Sequence, residues 1–413
     1  MVPPAVKSPS ASVWSLPVLV AALGYFVDIY DIVLIGMVGR ESLLALGVTP
    51  EQVVPTIGHL LGLQMVGMLI GGFLWGMIAD KWGRVATLFG SILTYSTATL
   101  LNGFVTDLWQ YEVLRVVAGI GLAGELGVGI TLVVECLPRE KRAYGATVVA
   151  CLGIAGALMA WVLTKYVSWQ MAFIIGGLMG FALLGLRWLS HESGLFAEQG
   201  ATLGRGSLRL LFSTRDRCLR YAQCLALGLP TWFLVGIFVF LGAKTAEALG
   251  VVGPVLGKDA IVACYTGLIV GDFVAGFLTA WLESRRKAVG LFLLAAALTT
   301  AFILLFVRGW SATAYLVLCG WMGFTVGFWA LFVTIAAEQF GTNLRATVAT
   351  TVPNVARGCF YPMQWLIFAL APGYGYLPVL GALAIVVFAL ALTAVVFLKE
   401  THSTDLSFQE ELS

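Results

Sequence analysis

Charged residues are scarce in this 413-residue chain, where they make up 11% of the sequence against 60% hydrophobic residues. A soluble protein carries roughly a quarter charged residues, so this chain cannot cover a surface that faces water. The net charge of +2 and the lack of a basic tract give no indication of nucleic-acid binding. The composition therefore predicts an integral membrane protein surrounded by the lipid bilayer.

The sequence also lacks the short motifs of metal sites and enzymes. None of the seven cysteines forms a C-x-x-C pair, so neither a disulfide framework nor a zinc site is predicted, and a set of metal ligands stays unknown. No nucleophile–base or nucleotide-binding motif is present, so neither an enzyme nor a bound cofactor is expected. Residues 1–13 lack the basic start and the small-residue cleavage site of a signal peptide, so the first helix is expected to remain.

What the chain does contain is about twelve apolar runs of about 20 residues, the length that a bilayer core requires. They cover residues 14–39, 57–78, 86–105, 109–134, 144–165, 169–189, 219–243, 260–281, 288–307, 312–337, 346–370 and 375–398. The longest polar stretch, 191–220, divides them six and six. We therefore predict an all-α membrane protein with six-helix bundles at 14–190 and 219–398. A linker at 191–218 joins the bundles, and tails at 1–13 and 399–413 flank them.

The basic residues are distributed unevenly about these runs. Of the 24 lysines and arginines, seventeen lie on the side that holds both termini and five on the other, while Arg115 and Arg357 lie within runs. Cytoplasmic loops carry the excess of lysine and arginine in membrane proteins. Both termini and the linker are therefore predicted to be cytoplasmic.

A charged hinge separates the second and third runs, where residues 76–84 read GMIADKWGR. Its glycines allow a close approach and a sharp turn, while its charges stay at the membrane surface rather than in hydrocarbon. The segment resembles the loop between the second and third helices of the major facilitator superfamily, which reads G-x-x-x-D-[RK]-x-G-[RK].

The two halves of the chain share a second motif. The pattern E-x6-RA-x2-AT at 135–147 recurs 203 residues later at 338–350. The charges related by this offset are Asp80 and Glu283, Arg84 and Lys287, Glu135 and Glu338, and Arg142 and Arg345. Because two motifs agree on one offset, we predict duplicated six-helix halves with a substrate site near the midplane between them.

Further resemblances extend over most of the chain. The pattern R-x3-G-x-G-x2-GE at 115–125 is similar to the fourth helix of sugar porters and metabolite:proton symporters. The segments ESGLF at 192–196 and KET with a later L-x3-E at 399–410 are similar to elements of the same branch. The resemblance implies the major facilitator fold, a monomer, a small-molecule or ion substrate, and the proton as coupling ion. Short external loops indicate a bacterial inner membrane.

Charges at membrane depth are usually functional. Asp31 and Arg115 lie at matching depths in the first and fourth runs, and the resemblance implies that both helices line the central cavity. We expect them to form a pair that either couples transport to protonation of Asp31 or only fixes the two helices. Asp28 and Glu125 are further candidates for proton coupling, with structural contacts as the alternative for each.

The second half carries different charges, Asp272 and Arg357, both near mid-depth. One expectation is that they pair with each other. The alternative is that Arg357 binds a substrate carboxylate or phosphate, because its planar guanidinium can donate to two oxygens at once. Aromatic and hydroxyl side chains are expected to complete a small-molecule pocket. The candidates are Trp232, Trp321, Trp329, Tyr30, Tyr265 and Tyr361.

The charges at the helix junctions are predicted to form a cytoplasmic gate. Asp80 is expected to accept hydrogen bonds from the N-terminus of a facing helix or to pair with Arg142. Glu135 is expected to pair with Arg84 or Arg142. Such contacts would hold the halves together in the outward-open state. The predicted gate residues are Gly76, Asp80, Lys81, Gly83, Arg84, Glu135, Arg142, Glu283, Lys287, Glu338 and Arg345.

The leading prediction is a proton-coupled symporter of a small polar metabolite, with an organic anion favoured. A drug:proton exporter lacks support because the fifth run has no G-x-x-x-G-P motif, and a sugar is disfavoured because the seventh run lacks paired glutamines. Four intramembrane carboxylates against two arginines keep a metal or organic-cation carrier open. A sensor that binds without transport would be expected to carry an added signalling domain.

Overall fold

In the computed structural model, the described residues are 12, 14–138, 141–187, 205–402 and 408–411, without the side chains of 142 and 143. Within these residues the regular secondary structure is helical, apart from one isolated β-bridge between Val252 and Ser311. The predicted ESGLF element and the first half of the predicted linker, residues 191–204, lie outside them, as does nearly all of the predicted N-terminal tail.

Twelve long helices, numbered α1 to α12, follow one another along the described chain. The first half contains α1 Leu16–Ala45, α2 Pro50–Trp82, α3 Arg84–Asn102, α4 Leu108–Cys136, α5 Arg142–Leu163 and α6 Trp169–Arg187. The second half contains α7 Arg215–Phe240, α8 Gly257–Leu282, α9 Arg285–Phe306, α10 Ala312–Glu338, α11 (Arg345–Gly358 and Phe360–Tyr374) and α12 Tyr376–Phe397. Short helices cover Leu208–Leu211 and Gly242–Ala248. We call the side where α1 begins and α12 ends the tail side, and the opposite one the far side.

Ten of these helices are long and apolar enough to cross a membrane by length and composition. The other two, α3 and α11, carry many polar side chains that are buried inside the protein, such as Ser91, Thr99 and Asn354. Because neighbouring helices cover these groups, α3 and α11 need less apolar surface than a helix surrounded by lipid. The predicted all-α membrane fold with about twelve spans is confirmed.

Close contacts join the two halves through small residues. A Cβ at Gly76 of α2 would lie 2.9 Å from the Cα of Thr347 in α11, and one at Gly127 of α4 would strike Thr350 of the same helix. On the far side, the Trp161 indole of α5 donates to Asp259 of α8 at 3.2 Å. Small residues let helix backbones approach closely, so the halves meet on both sides of the molecular centre.

Three helices of the second half are interrupted, whereas their counterparts in the first half are continuous. Residues Phe233–Phe240 of α7 form a π-helix, α10 loses its helical bonding at 326–328, and α11 is broken at Cys359. Pro362 lacks the N–H that would bond four residues back, which accounts for the break in α11 at Cys359. The helices at the equivalent repeat positions, α1, α4 and α5, run without a break.

Residues 408–411 of the C-terminal tail pack onto the tail side of the second half. The Glu410 carboxylate accepts hydrogen bonds from Arg217 and Arg220, each at 2.9 Å, and Thr342 donates its backbone N–H to Phe408. Burial raises the pKa of Glu410, but the bonds from Arg220 and Arg217 outweigh it and hold the pKa below its ordinary value. The tail is therefore attached by charged contacts.

Candidate functional site

A small cavity lies between the two halves, at the level of the helix interruptions. Three of the helices that enclose it, α7, α10 and α11, are the interrupted ones. Its lining side chains come from both halves: Tyr25, Ile29, Ile154, Thr231, Trp232, Val235, Tyr265, Leu268, Trp329 and Arg357. An apolar, aromatic wall with few polar groups is the usual form of a small-molecule site.

Arg357 is the cationic group at this cavity. Its guanidinium lies over the rings of Trp232 and Trp329, at 5.9 and 5.4 Å from their centroids, and donates to the side-chain Oδ1 of Asn354 at 3.1 Å. The two indoles meet edge to face, with their centroids 6.3 Å apart. These contacts fix the position of the arginine while its Nε keeps no hydrogen-bond partner.

Other hydrogen-bond donors around the cavity are also unused. The Thr231 hydroxyl and the Trp232 indole N–H are buried without a partner, like Arg357 Nε. A buried donor without an acceptor is unfavourable. Three unsatisfied donors, one of them on the arginine itself, therefore make a site suited to a ligand with acceptor oxygens, such as a carboxylate.

Asp31 and Arg115 form the pair expected from their depths. The Arg115 guanidinium lies 3.4 Å from the Asp31 carboxylate, and both side chains are buried. Thr99 and Gln64 also donate to Asp31, at 3.0 and 3.3 Å, and Arg115 lies over the Phe173 ring at 5.0 Å. The carboxylate therefore has donors from α2, α3 and α4, all in the first half.

The other two carboxylates of the first half differ in their partners. Glu125 pairs with Arg187 of α6 at 2.7 Å, whereas Asp28 is 0% exposed and neither of its oxygens has a hydrogen-bond partner. Arg187 is itself buried, although it is one of the seventeen basic residues that the sequence assigns to the side of the termini. Its charge reduces the expected excess of intramembrane carboxylates, which weakens the argument for a cation carrier.

Asp272 and Arg357 do not pair. Asp272 accepts from the backbone N–H of Ala330 at 3.2 Å, where α10 resumes after its interruption. Its side chain lines a separate, smaller cavity with Thr147 and Arg285. A carboxylate at a helix start is stabilised by the free N–H groups there, so Asp272 serves the restarted helix rather than Arg357.

Three further predicted pocket residues lie away from the central cavity. Tyr30 donates its hydroxyl to the Ala172 carbonyl at 2.8 Å inside the first half, and Tyr361 packs against Gly62. Trp321 is 51% exposed on the outer surface, where it bonds Thr299. Sequence cannot distinguish the two faces of these largely apolar helices, so the aromatic residues were assigned to the pocket without regard to direction.

The tail-side gate contains the predicted contact between Asp80 and a facing helix N-terminus. Asp80 accepts from the backbone N–H groups of Ala346 and Thr347, at 3.1 and 2.8 Å, and from the Thr347 hydroxyl at 2.7 Å. Arg84 lies 3.4 Å from the same carboxylate. Asp80 of the first half therefore caps α11 of the second half.

Glu135 supplies the second contact of the gate. It pairs with Arg84 at 2.9 Å within its own half and with Arg345 of the other half at 3.3 Å. The Arg142 side chain, predicted as an alternative partner, lies outside the described residues. Lys81 is solvent-exposed, while Gly83 supplies the backbone turn at φ 108° between α2 and α3.

The equivalent gate contact in the second half involves a different residue from the one predicted by the 203-residue offset. Arg285, the first residue of α9, pairs with Glu338 at 2.6 Å, just as Arg84 begins α3 and pairs with Glu135. The 203-residue offset had assigned this place to Lys287, which is exposed, as is Glu283. Arg285 and Glu338 are 53 residues apart, whereas Arg84 and Glu135 are 51 apart, so two additional residues between the start of α9 and Glu338 shift the register.

Several residues of the site were not anticipated from sequence. Tyr25 and Thr231 line the cavity, Asn354 holds Arg357, and Gln64 and Thr99 donate to Asp31. Asn and Gln inside apolar runs are a readable signal of a buried polar contact. Tyrosine and threonine are common in membrane helices and carry no such signal.

Comparisons with known proteins agree on one family. The pattern of the Major Facilitator Superfamily matches residues 21–356. The chain is 27% identical to a putative metabolite transport protein of Haemophilus influenzae, over 92% of this chain and 94% of that protein. It is also 27% identical to the putative niacin/nicotinamide transporter NiaP of Bacillus subtilis, over 94% and 96% of the two chains.

The fold agrees with a solved structure of the same superfamily, the proton:xylose symporter XylE bound to 6-bromo-6-deoxy-D-glucose. The two superpose with a TM-score of 0.72 over 95% of this chain and 97% of the other, at 14% sequence identity. The structural likeness extends over both halves, and the family pattern covers most of the sequence. The chain belongs to the major facilitator superfamily and is a multi-pass membrane transporter rather than an enzyme.

Proposed function

We propose that this transporter is a proton-coupled symporter that imports a small organic anion by alternating access. The observation that carries the proposal is Arg357, which lies against two indoles at the cavity and has unused hydrogen-bond donors around it. An arginine binds a carboxylate through two parallel hydrogen bonds, and the aromatic wall accommodates a flat ring. A sugar would instead require several polar partners around its hydroxyls.

The relative named for niacin and nicotinamide supports an anion of this size. Niacin combines one aromatic ring with one carboxylate, which are the two features that the indoles and the arginine accommodate. The proposal for this chain is the wider class of small carboxylates, with niacin as a convenient probe.

Proton coupling is assigned to Asp31 and Arg115. In the ionised form, Asp31 has four potential donors in Arg115, Thr99 and Gln64. Adding a proton to the carboxylate removes its charge and weakens its hold on Arg115, which remains over the Phe173 ring. The change alters the packing among four helices of the first half, which is the requirement for coupling protonation to a change of shape.

We place both termini in the cytoplasm of a bacterial cell, because the tail side carries most of the basic residues. In this orientation the gate formed by Asp80 and Glu135 closes the cytoplasmic side. Import then requires the contacts of Asp80 with Ala346 and Thr347 to break, so that the cavity opens inward.

The test is transport in proteoliposomes that contain a pH-sensitive dye, with nicotinate added outside at acidic pH. We expect nicotinate-dependent acidification of the interior, and a loss of at least about tenfold in Arg357→Gln, which corresponds to about 1.4 kcal/mol of binding. Asp31→Asn is expected to remove the dependence of uptake on the pH gradient. Arg308→Gln, which removes an exposed cation on the far side, is the matched control.

Two outcomes would contradict the proposal. If Arg357→Gln transports nicotinate as well as the unmodified protein does, the anion does not bind at this arginine. If Asp31→Asn leaves nicotinate-driven proton flux unchanged, Asp31 is not the coupling group. Nicotinamide, which has the same ring without the charge, distinguishes recognition of the carboxylate from recognition of the ring.

A further inference from the structure

Asp28 is a buried carboxylate that has no partner of its own. It lies on α1 one turn from Asp31, is 0% exposed, and neither oxygen accepts a hydrogen bond in the described structure. An ionised carboxylate in such surroundings is strongly unfavourable unless a cation compensates it. Asp28 therefore requires a counter-charge from another element.

The carboxylates that repel Asp28 already have arginine partners of their own. Asp31 engages Arg115, and Glu125 engages Arg187. Arg357 is the group that attracts Asp28 electrostatically, whereas Glu125 and Asp31 repel it. No described carboxylate forms an ion pair with Arg357, so Asp28 and Arg357 are each other's remaining counter-charge without being in contact.

The groups that surround Asp28 do not offer a second counter-charge. Besides the charges named, the titratable side chains that interact with it are the tyrosines Tyr25 of α1, Tyr95 of α3 and Tyr265 of α8. Tyrosine is neutral at physiological pH and can donate a hydrogen bond but not a charge. The balance at the cavity therefore rests on one anion and one cation.

We infer that Asp28 is the internal counter-ion that a substrate carboxylate replaces at Arg357, so that each substrate charge requires one proton on Asp28. The inference rests on the proposed function. Before substrate enters, the carboxylate of Asp28 and the guanidinium of Arg357 cancel. A monocarboxylate adds one negative charge, and a proton taken from water by an Asp28 oxygen restores neutrality while Arg357 donates to the substrate oxygens.

This arrangement makes binding itself dependent on protons, separately from the step assigned to Asp31. It also predicts that a monocarboxylate and its proton move together as a neutral pair. Arg357 recognises the anion, and Asp28 makes recognition conditional on pH. A neutral ligand of the same shape would place no demand on Asp28.

The test measures nicotinate binding by the purified protein across the range from about pH 5 to about pH 8, through quenching of tryptophan fluorescence. If one proton is taken up with each anion, Kd rises about tenfold for each pH unit above the range where Asp28 is protonated in the free protein. In Asp28→Asn, which is permanently neutral, we expect Kd to be tight and independent of pH. Asp107→Asn, an exposed carboxylate variant, should keep the slope of the unmodified protein.

A second measurement needs no variant and so does not depend on the folding of Asp28→Asn. In weak buffer with an indicator dye, binding of nicotinate should remove about one proton per molecule from solution, and binding of nicotinamide none. An unchanged pH slope in Asp28→Asn, or nicotinate binding without proton uptake, would overturn the inference. If the unmodified protein binds no nicotinate at any pH, the proposed function itself fails, which is a different result.

Discussion

At the scale of single residues, the site is organised by how its buried charges are shared. Asp31 and Glu125 each have an arginine within their own half, while Asp28 and Arg357 interact electrostatically across the boundary between the halves without forming an ion pair. Asp28 and Asp31 differ in this respect although they lie one turn apart on α1. Function therefore depends less on the presence of an intramembrane charge than on whether it has a fixed counter-charge.

Sequence could predict some of these pairs and not others, for a geometric reason. Depth along a helix follows from counting residues, and this was sufficient to bring Asp31 opposite Arg115. The direction of a side chain around an apolar helix does not follow from counting, because such a helix has no polar face to fix its rotation. Arg187, at the end of α6, was thus assigned to the surface although it reaches Glu125 inside.

The Glu125–Arg187 pair is expected to be structural. Changing Glu125 to Gln leaves a buried guanidinium without its counter-charge, which should lower the free energy of unfolding by about 3–5 kcal/mol. Denaturant unfolding in mixed micelles measures this. Glu112→Gln, a partly exposed partner of His59, should cost less than about 0.5 kcal/mol.

A double substitution separates charge from size in the same pair. Replacing Glu125 and Arg187 together by leucine removes both charges and should recover most of the lost stability, because neither charge is left unpaired. If the single and double variants are equally destabilised, packing rather than pairing explains the effect.

At the scale of helices, the gate depends on where each helix begins. Arg84 and Arg285 are both first residues of their helices, and each pairs with the glutamate of the E-x6-R motif of its own half. Matching charges at a constant offset selected Lys287 instead. The better signal was Ser284, a serine that caps the start of α9 by accepting from the Lys287 N–H.

Asp80 couples the hinge of the first half to a helix of the second. Because its carboxylate caps α11, Asp80→Asn should remove part of this contact while leaving the cavity intact. We expect exchange of nicotinate across the membrane to slow by about tenfold, the effect of losing about 1.4 kcal/mol from one conformation. The Kd for nicotinate should change by less than about twofold.

The comparison requires binding and exchange to be measured on the same preparation. Arg209→Gln, which changes an exposed charge on the tail side, controls for a general effect of surface charge. An equal loss of binding and of exchange rate in Asp80→Asn would show that the residue does not act through the gate.

At the scale of the whole molecule, the twelve helices and their division into halves followed from hydropathy and an internal repeat. These properties follow from the bilayer, since its thickness sets helix length and its lack of water demands helices. The cavity could not be predicted from hydropathy or from the repeat. Its shape depends on contacts such as Gly127 against Thr350, in which residues distant in sequence touch across the two halves.

Gly127 provides a test of how closely the halves must approach. A methyl group there would strike backbone atoms of Thr350, so Gly127→Ala should separate α4 from α11 and weaken closure of the tail side. Distances between spin labels at positions 81 and 286, both exposed on that side, should lengthen, and uptake should fall. Gly185→Ala, where an added Cβ meets nothing within 4 Å, should alter neither. Unchanged distances in Gly127→Ala would contradict this view of the contact.

The interrupted helices make the two halves mechanically unequal. An unbroken α-helix turns as a stiff rod, whereas one with missing hydrogen bonds has a joint at which it bends. The joints at 233–240, 326–328 and 359 all belong to the second half. When the cavity changes the side to which it opens, the first half should swing as one rigid body and the second should flex about its centre. Proline and glycine, rather than the charged residues, thus set the division of motion between the halves.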